Sequence, residues 1–145
     1  MKEPILIYLR MGRTLLTLAA QGGYTAVVEL LLKTEKFFID SKDTYGRTVL
    51  SESALYVHER LIKWLLHTGK VNVNSKDGHG QTPLFYAAGW GHEAIVKLLI
   101  MDGSLNFDMN DCFFDQTPLS VATFNGHKST VKLLLETGKV DVNSK

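Results

Sequence analysis

The chain has 145 residues, a length typical of one domain, and its 16 Lys and Arg residues against 15 Asp and Glu residues give a formal charge of +1. This balance leaves no chain-wide field that would attract nucleic acid or an anionic membrane. A single cysteine, Cys112, excludes an internal disulfide, and the 45% hydrophobic content excludes a wholly disordered chain.

The first predicted element is a short leader, residues 1–11, which contains the apolar run Ile5–Leu9. This run is shorter than the apolar core of a secretory signal, and Glu3 and Pro4 precede it. The longest stretch without charge, residues 14–28, is too short and too polar to cross a bilayer. We therefore expect a cytoplasmic protein without a membrane span, and a nuclear location stays open.

Four units of similar length follow the leader. The phrase Gln-Thr-Pro-Leu begins at Gln81 and again at Gln116, 35 residues later, and Thr48 and Thr14 occupy the matching positions at steps of 34 residues. The phrase Leu-Leu-x-Thr-Gly-Lys-Val-x-Val-Asn-Ser-Lys also occurs twice. Periods of about 20 to 50 residues indicate a stack of repeated structural units. The predicted units are 12–45, 46–79, 80–114 and 115–145.

Each unit has the pattern of a helix, a tight turn, a second helix and an extended arm. In the third unit, Thr82 is suited to cap the first helix, and Pro83 is suited to be its first residue because no N–H is needed there. Gly91 allows a tight reversal with positive φ, and a second helix is predicted from Glu93 to Met101. Glycines that follow second helices are predicted to be left-handed; they are Gly69, Gly103 and Gly138.

This order of elements, repeated about every 34 residues, resembles the ankyrin repeat. The resemblance covers residues 12–145 and is carried by Gly80-Gln81-Thr82-Pro83-Leu84, Ala87-Ala88, Gly91-His92 and Leu98-Leu99. It implies an all-α fold, an ankyrin-repeat solenoid of helix-turn-helix units with short extended arms. The arms are one residue longer than the usual ankyrin arm and look like those of the long ankyrin arrays of filamentous fungi.

The second unit, 46–79, is degenerate at its first helix and at its turn. Val49 stands where the third and fourth units have proline, and Val57 stands where the tight turn favours glycine. Because a β-branched residue rarely adopts positive φ, we expect this turn to be built differently. The third unit carries one extra residue near 108–114, which is predicted to lengthen the loop at its tip.

Glu52 also departs from the pattern, since the other units have apolar or aromatic residues at its position. These are Leu18, Tyr86 and Val121. A half-buried carboxylate needs a partner, and Arg60 or Lys63 is the expected one. Two interpretations stay open. Glu52 is either a product of sequence drift for which neighbouring residues compensate, or a specificity or switch residue.

No group of residues in the sequence has the spacing of a catalytic or metal site. His58, His92 and His127 recur once per unit, and helices that pack about 8–10 Å apart hold them too far from one another to share a zinc ion. We expect these side chains to bond to backbone at the start of the second helices. Cys112 has no assignable base, so an inert thiol is predicted. The sequence therefore predicts no enzyme activity, no cofactor and no metal.

The ankyrin resemblance implies a protein partner held by the concave face, which consists of the turn tips and the exposed ends of the first helices. Aromatic side chains at these positions, which the fold does not require, are typical interface anchors. The predicted partner-binding residues are Tyr45, Arg47, Tyr56, His79, Gln81, Trp90, Phe113, Phe114, Gln116 and Phe124. The alternative is that Phe113 and Phe114 fold back onto the scaffold and that Phe124 is partly buried.

We therefore predict a protein-protein interaction module, a scaffold or adaptor, with no affinity for nucleic acid. The competing hypothesis is a structural array that self-associates as a homo-oligomer through uncapped Leu-rich ends. The final unit stops within its arm at Lys145, and its second helix is like that of an internal unit. We expect either a piece of a longer array or a protein whose ends another chain covers.

Overall fold

The computed structural model describes residues 13–111 and 113–143. Within these ranges the chain forms eight α-helices and no β-strand, so the all-α expectation is confirmed. The helices are α1 (Leu15–Gln21), α2 (Thr25–Lys33), α3 (Val49–Leu55), α4 (Glu59–His67), α5 (Pro83–Gly89), α6 (Glu93–Ile100), α7 (Pro118–Phe124) and α8 (Lys128–Glu136). None of these eight is long and apolar enough to span a membrane. The leader 1–11 and Cys112 lie outside the described residues.

The helices form four consecutive pairs, and the first helix of each pair begins at a threonine. Thr82 accepts a hydrogen bond from the backbone N–H of Phe85 at 3.1 Å, and α5 starts on Pro83 as predicted. Such a cap stabilises a helix by about 1 kcal/mol because it satisfies an N–H that has no partner within the helix. The same cap is made at Thr14, Thr48 and Thr117.

The pairs stack in two rows of helices, and the core lies between the rows. α1, α3, α5 and α7 contact one another in sequence, and so do α2, α4, α6 and α8. Leu50, Leu84, Ile62 and Leu99 are fully buried in this core. Burying one such side chain stabilises the fold by about 1.5–3 kcal/mol. Stability thus comes from contacts between neighbouring units along the stack.

Val57 forms the tight turn of the second unit with φ +64°, so the prediction of a differently built turn is wrong. At the matching position of the third unit, Gly91 has φ +69°. The hydrogen bond that closes the turn is also present, with the N–H of His58 donating to the carbonyl of Ser53 at 2.9 Å. A left-handed conformation costs a residue with a side chain about 1–2 kcal/mol, and the packing of the adjacent helices offsets this cost.

The glycines after the second helices differ from the expectation at one position. Gly69 and Gly138 both have φ +65°, as predicted. Gly103 does not adopt the left-handed conformation, so its prediction is wrong. In that unit the helix cap is Met101 and the next residue is Asp102, which leaves Gly103 one position too late to end the helix.

Polar side chains join the arms of successive units. Nζ of Lys42 donates to the carbonyl of Lys76 at 2.7 Å, and Nζ of Lys76 donates to the carbonyl of Asn110 at 2.9 Å. At the tips, the N–H of Gly78 donates to the carbonyl of Tyr45 at 2.8 Å. These bonds fix the spacing of the tips, which border the concave face.

The tip between the third and fourth units is longer than the tip before it, as the extra residue predicts. The N–H of Asp77 bonds to the carbonyl of Gln81 at 3.0 Å, whereas the N–H of Asp111 reaches Gln116, one residue further along, at 2.9 Å. Asp115 in the longer tip has φ +55°. Aspartate tolerates this conformation better than most residues, which suits it to the turn.

Candidate functional site

A groove lies over α5, on the face that the repeat resemblance implies to be concave, and we call it the α5 groove. Its volume is about 630 Å³. Arg47 and Gln81 line it near the tips, and Trp90, the residue after α5, lines it at the helix end. The groove therefore combines polar groups at one border with an aromatic side chain at another.

Gly89 opens a recess in the α5 groove because it has no side chain. It is the last residue of α5, at the position where α3 ends with Leu55 and α7 ends with Phe124. A methyl group added to Gly89 would lie 3.4 Å from Cγ2 of Val121, which is an ordinary contact distance. The Gly89 recess thus lies between Leu55 and Val121, and the sequence signal for it was the single glycine among larger residues.

A buried ion-pair cluster lies beside the groove and corrects the expected partner of Glu52. Oε1 of Glu52, whose side chain is fully buried, accepts bonds from Nη1 of Arg13 at 2.5 Å and from Nη1 of Arg47 at 3.2 Å. The prediction of Arg60 or Lys63 is wrong, because both lie on α4 and are exposed. The sequence feature that indicates the actual partners is the phrase Gly-Arg-Thr, which places an arginine directly before the capping threonine in the first two units.

The two arginines of this cluster keep their charge. Burial acts to lower the pKa of Arg13, but its hydrogen bond with Glu52 and their attraction outweigh burial and raise the pKa. Burial likewise acts to lower the pKa of Arg47, and Tyr86 and Glu52 together raise it. Both guanidinium carbons lie 5.8 Å from the centre of the Tyr45 ring. Two cations therefore share one buried carboxylate.

Tyr86 holds the tip between the second and third units against α5. Its hydroxyl donates to Oδ2 of Asp77, while Oδ1 of Asp77 accepts from the N–H groups of His79 and Gln81 at 2.9 and 3.0 Å. Burial and the bond to Asp77 raise the pKa of Tyr86 well above its usual range. Both oxygens of Asp77 are thus used by neighbouring groups, and the backbone at Gln81 is held in place.

The aromatic candidates project into solvent, which is contrary to the alternative in which they fold back or are partly buried. The exposed fraction is 65% for Trp90, 63% for Phe113 and 82% for Phe124. Phe113 does contact the scaffold, since its ring centre lies 5.1 Å from that of His79. Phe114 is also exposed, and Tyr45 and Tyr56 are exposed to a smaller degree.

The structure brings some of the candidate residues together and separates others. Arg47, Gln81 and Trp90 share the α5 groove, and Tyr45 contacts Arg47 at its border. His79 and Phe113 form a second pair on the adjoining tips. The candidate set therefore has a centre over α5, with the tip pair beside it.

Three candidates lie apart from this centre. The hydroxyl of Tyr56 accepts a bond from Nε2 of Gln21 at 3.3 Å, toward the first unit. Gln116 and Phe124 line a different recess next to Val142 in the fourth unit. No sequence pattern distinguished these three from the residues of the α5 groove.

Two of the repeated histidines bond to backbone, but to the preceding unit and not to their own helix. Nε2 of His58 lies 2.7 Å from the carbonyl oxygen of Gln21, and Nε2 of His127 lies 2.9 Å from that of Gly89. Within the described part of the chain, no such bond joins His92 to the matching residue, Leu55.

The missing bond of His92 has a steric reason. The ring of His127 lies so close to Gly91 that an added Cβ there would be 2.6 Å from Nδ1. Val57 holds the matching position before His92 and does carry a Cβ, so the ring of His92 has no equivalent space. Burial lowers the pKa of His92, and the proximity of His127 lowers it further.

Among residues 13–111 and 113–143, no group of three or more His, Cys, Asp or Glu side chains is arranged to hold a metal ion. The carboxylates near the groove are instead used by neighbouring groups. Glu52 pairs with two arginines, and Asp77 bonds to Tyr86 and to backbone N–H groups.

The family model for ankyrin repeats (3 copies) matches residues 3–77 and, with some overlap, residues 58–145. The two matches together extend over almost the whole chain and begin within the segment predicted as a leader. Proteins with these repeats are generally protein-protein interaction modules and are typically not enzymes. No curated protein is similar enough to this chain to count as a match.

Proposed function

We propose that this chain, which belongs to the ankyrin repeat family, is a scaffold or adaptor module that binds one protein partner on its concave face. The observation that carries the proposal is the exposure of Trp90 and Phe113 on that face, at positions that the helix stack does not use. A large aromatic side chain that stays in water forgoes roughly 2–3 kcal/mol of burial. A bound partner would recover this free energy.

The chemistry of the surface supports a protein partner. Trp and Tyr side chains anchor interfaces because they bury a large area with few rotatable bonds. Trp90 stands next to the α5 groove, and Arg47 and Gln81 supply polar groups within the same groove. An apolar anchor beside a few polar groups is the usual composition of the centre of an interface.

Hydrogen bonds also order the concave face in the absence of a partner. Asp77 fixes the tip between the second and third units through Tyr86 and through the N–H groups of His79 and Gln81. The N–H of Gly78 then ties this tip to Tyr45 at 2.8 Å. A surface that is ordered in advance loses less conformational entropy on binding, which favours affinity.

The proposal is tested by affinity capture from an extract of the native host with the double variant Trp90→Ala/Phe113→Ala. The matched control is Phe38→Ala, which removes an exposed aromatic side chain that lines a cleft between α2 and α4 instead of the α5 groove. We expect the native chain and the control to retain the same protein and the double variant to lose it. Equal capture by all three forms, each shown to be folded by circular dichroism, would contradict the proposal.

A second candidate function, self-association, is favoured by the apolar side chains of the outer units. Leu30 of the first unit and Val142 of the fourth unit are exposed. Leu119, Phe124 and Val142 line a recess of about 470 Å³ in the fourth unit. Sedimentation velocity at increasing concentration separates the two functions, because self-association raises the sedimentation coefficient and a monomer shows no such rise.

A further inference from the structure

We propose that the α5 groove takes an extended acidic-apolar peptide segment of the partner. In this arrangement an apolar side chain enters the Gly89 recess, and a carboxylate close to it in the peptide meets Arg47 and Gln81. The inference rests on the proposed function and deepens it, because it names the chemistry of the segment that the concave face recognises.

The apolar part of the proposal follows from the shape of the Gly89 recess. Leu55, at the matching position of the preceding unit, lines the groove beside the recess, whereas Phe124 in the following unit lines a separate recess and does not close it. Val121 lies close behind it, and Trp90 stands at the next residue of the chain. A helix bound in a groove uses several anchors spaced along one face, whereas a recess left by one missing side chain suits an extended segment.

The acidic part follows from the charges around the groove. Glu52 is fully buried beneath two guanidinium groups, so it is out of reach of a ligand. The Arg47 side chain is 21% exposed and lines the groove, while Arg13 does not. In the described part of the chain, the buried Nε of Arg47 has no hydrogen-bond partner.

The charge on the lining of the groove favours an anion over a cation. Arg47 is its one formally charged lining residue, because no aspartate or glutamate lines it in the described ranges. A guanidinium group matches a carboxylate with two parallel hydrogen bonds. Gln81 occupies the position of Arg47 in the next unit and adds an amide donor beside it.

The apolar contact is tested with a displayed library of random 12-residue peptides, selected in parallel on the native chain and on Gly89→Leu. Leucine is the residue that α3 carries at this position, and circular dichroism checks that the variant folds. Gln21→Leu places leucine at the matching position of α1, outside the groove, where it removes only the exposed bond to Tyr56, and is the control. Filling the recess removes the burial of one aliphatic side chain, which corresponds to a loss of about tenfold in affinity.

We expect peptides that bind the native chain and the control to carry Asp or Glu within two residues of an aliphatic or aromatic side chain, and to bind Gly89→Leu about tenfold more weakly. Selected peptides without this acidic-apolar pattern would overturn the proposal. Equal selection on Gly89→Leu, or no enrichment on the native chain above Gly89→Leu, would overturn it as well.

The acidic contact is tested with Arg47→Gln/Glu52→Leu. Other units carry glutamine and leucine at these positions, as Gln81 and Leu18. The paired change removes the buried carboxylate together with one of its two arginines, and circular dichroism checks that the variant folds although Arg13 loses its bond to Glu52. We expect the selected peptides to bind this variant at least about tenfold more weakly, and their Glu→Gln versions to bind the native chain equally weakly. Unchanged binding of both would overturn the proposal.

The same measurements separate this inference from the function on which it rests. If Trp90→Ala/Phe113→Ala abolishes capture of the partner while Gly89→Leu and Arg47→Gln/Glu52→Leu bind it normally, the concave face is the interface and the acidic-apolar assignment is wrong. If none of the variants affects capture, both assignments are wrong.

Discussion

Val57 shows how the stack imposes a conformation on a residue whose side chain disfavours it. The turn keeps positive φ and its closing hydrogen bond because α3 and α4 must each pack on their neighbours. The conformational preference of valine thus predicted a different turn, but packing between units imposes positive φ. The consequence extends to the next unit, where His92 lacks the backbone bond that His58 and His127 make.

Replacing Val57 with glycine is expected to stabilise the protein by about 0.5–1 kcal/mol. Relief of the left-handed conformation gains about 1–2 kcal/mol, and the greater freedom of glycine in the unfolded chain offsets part of this gain. Urea unfolding followed by circular dichroism measures the change. The reverse change, Gly126→Val, is the control: its Cβ meets no atom within 4 Å, so it reports backbone strain alone and should destabilise. An unchanged or lower midpoint for Val57→Gly would show that this turn is not strained.

His92 is expected to make stability depend on pH in a known direction. Burial lowers its pKa in the folded state below the value of about 6.5 for an unfolded chain. As the pH falls through about 6.5, the unfolded chain takes up this proton first, so the free energy of unfolding decreases. Urea unfolding between pH 7.5 and 5.5 should show a larger loss for the native chain than for His92→Gln. Parallel pH profiles for the two proteins would refute this assignment.

Among the helices, the sequence predicted the features that recur from unit to unit and missed the contacts that occur between only one pair of units. Threonine caps and prolines at the first helical position act within a few residues, so Thr82 and Pro83 were sufficient to place the start of α5. The bond between Arg13 and Glu52 spans 39 positions and joins two units, and nothing local to Glu52 indicates it. Because α6 is one residue shorter than α4, Gly103 does not hold the left-handed position that Gly69 holds after α4.

Glu52→Gln is expected to destabilise the protein by about 2 kcal/mol at pH 7. The change keeps the size of the side chain but removes the charge of the carboxylate that Arg13 and Arg47 share, and removing one partner of a buried ion pair is costly. Glu93→Gln is the matched control, because its pair with Lys97 at 2.8 Å is exposed and should contribute less than about 0.5 kcal/mol. Thermal and urea unfolding measure both values. Equal effects of the two variants would show that the Glu52 cluster does not stabilise the fold.

At the scale of the whole molecule, the α5 groove exists because three units stand side by side. Arg47 and Leu55 come from the second unit, Gln81 and Trp90 from the third, and further lining residues from the fourth. The repeat pattern placed these residues on one face, but it did not show which side chains share a groove. That depends on Gly89, the one short residue among the ends of the first helices, and on how closely the units stack.

Isothermal titration calorimetry of the captured partner tests most directly whether the concave face over α5 holds a protein partner. The native chain, Trp90→Ala/Phe113→Ala and Phe38→Ala are titrated under the same conditions. Loss of two interface anchors should weaken binding at least about 100-fold, while Phe38→Ala should bind as the native chain does. A double variant that binds with native affinity, or a loss of affinity confined to Phe38→Ala, would contradict the account.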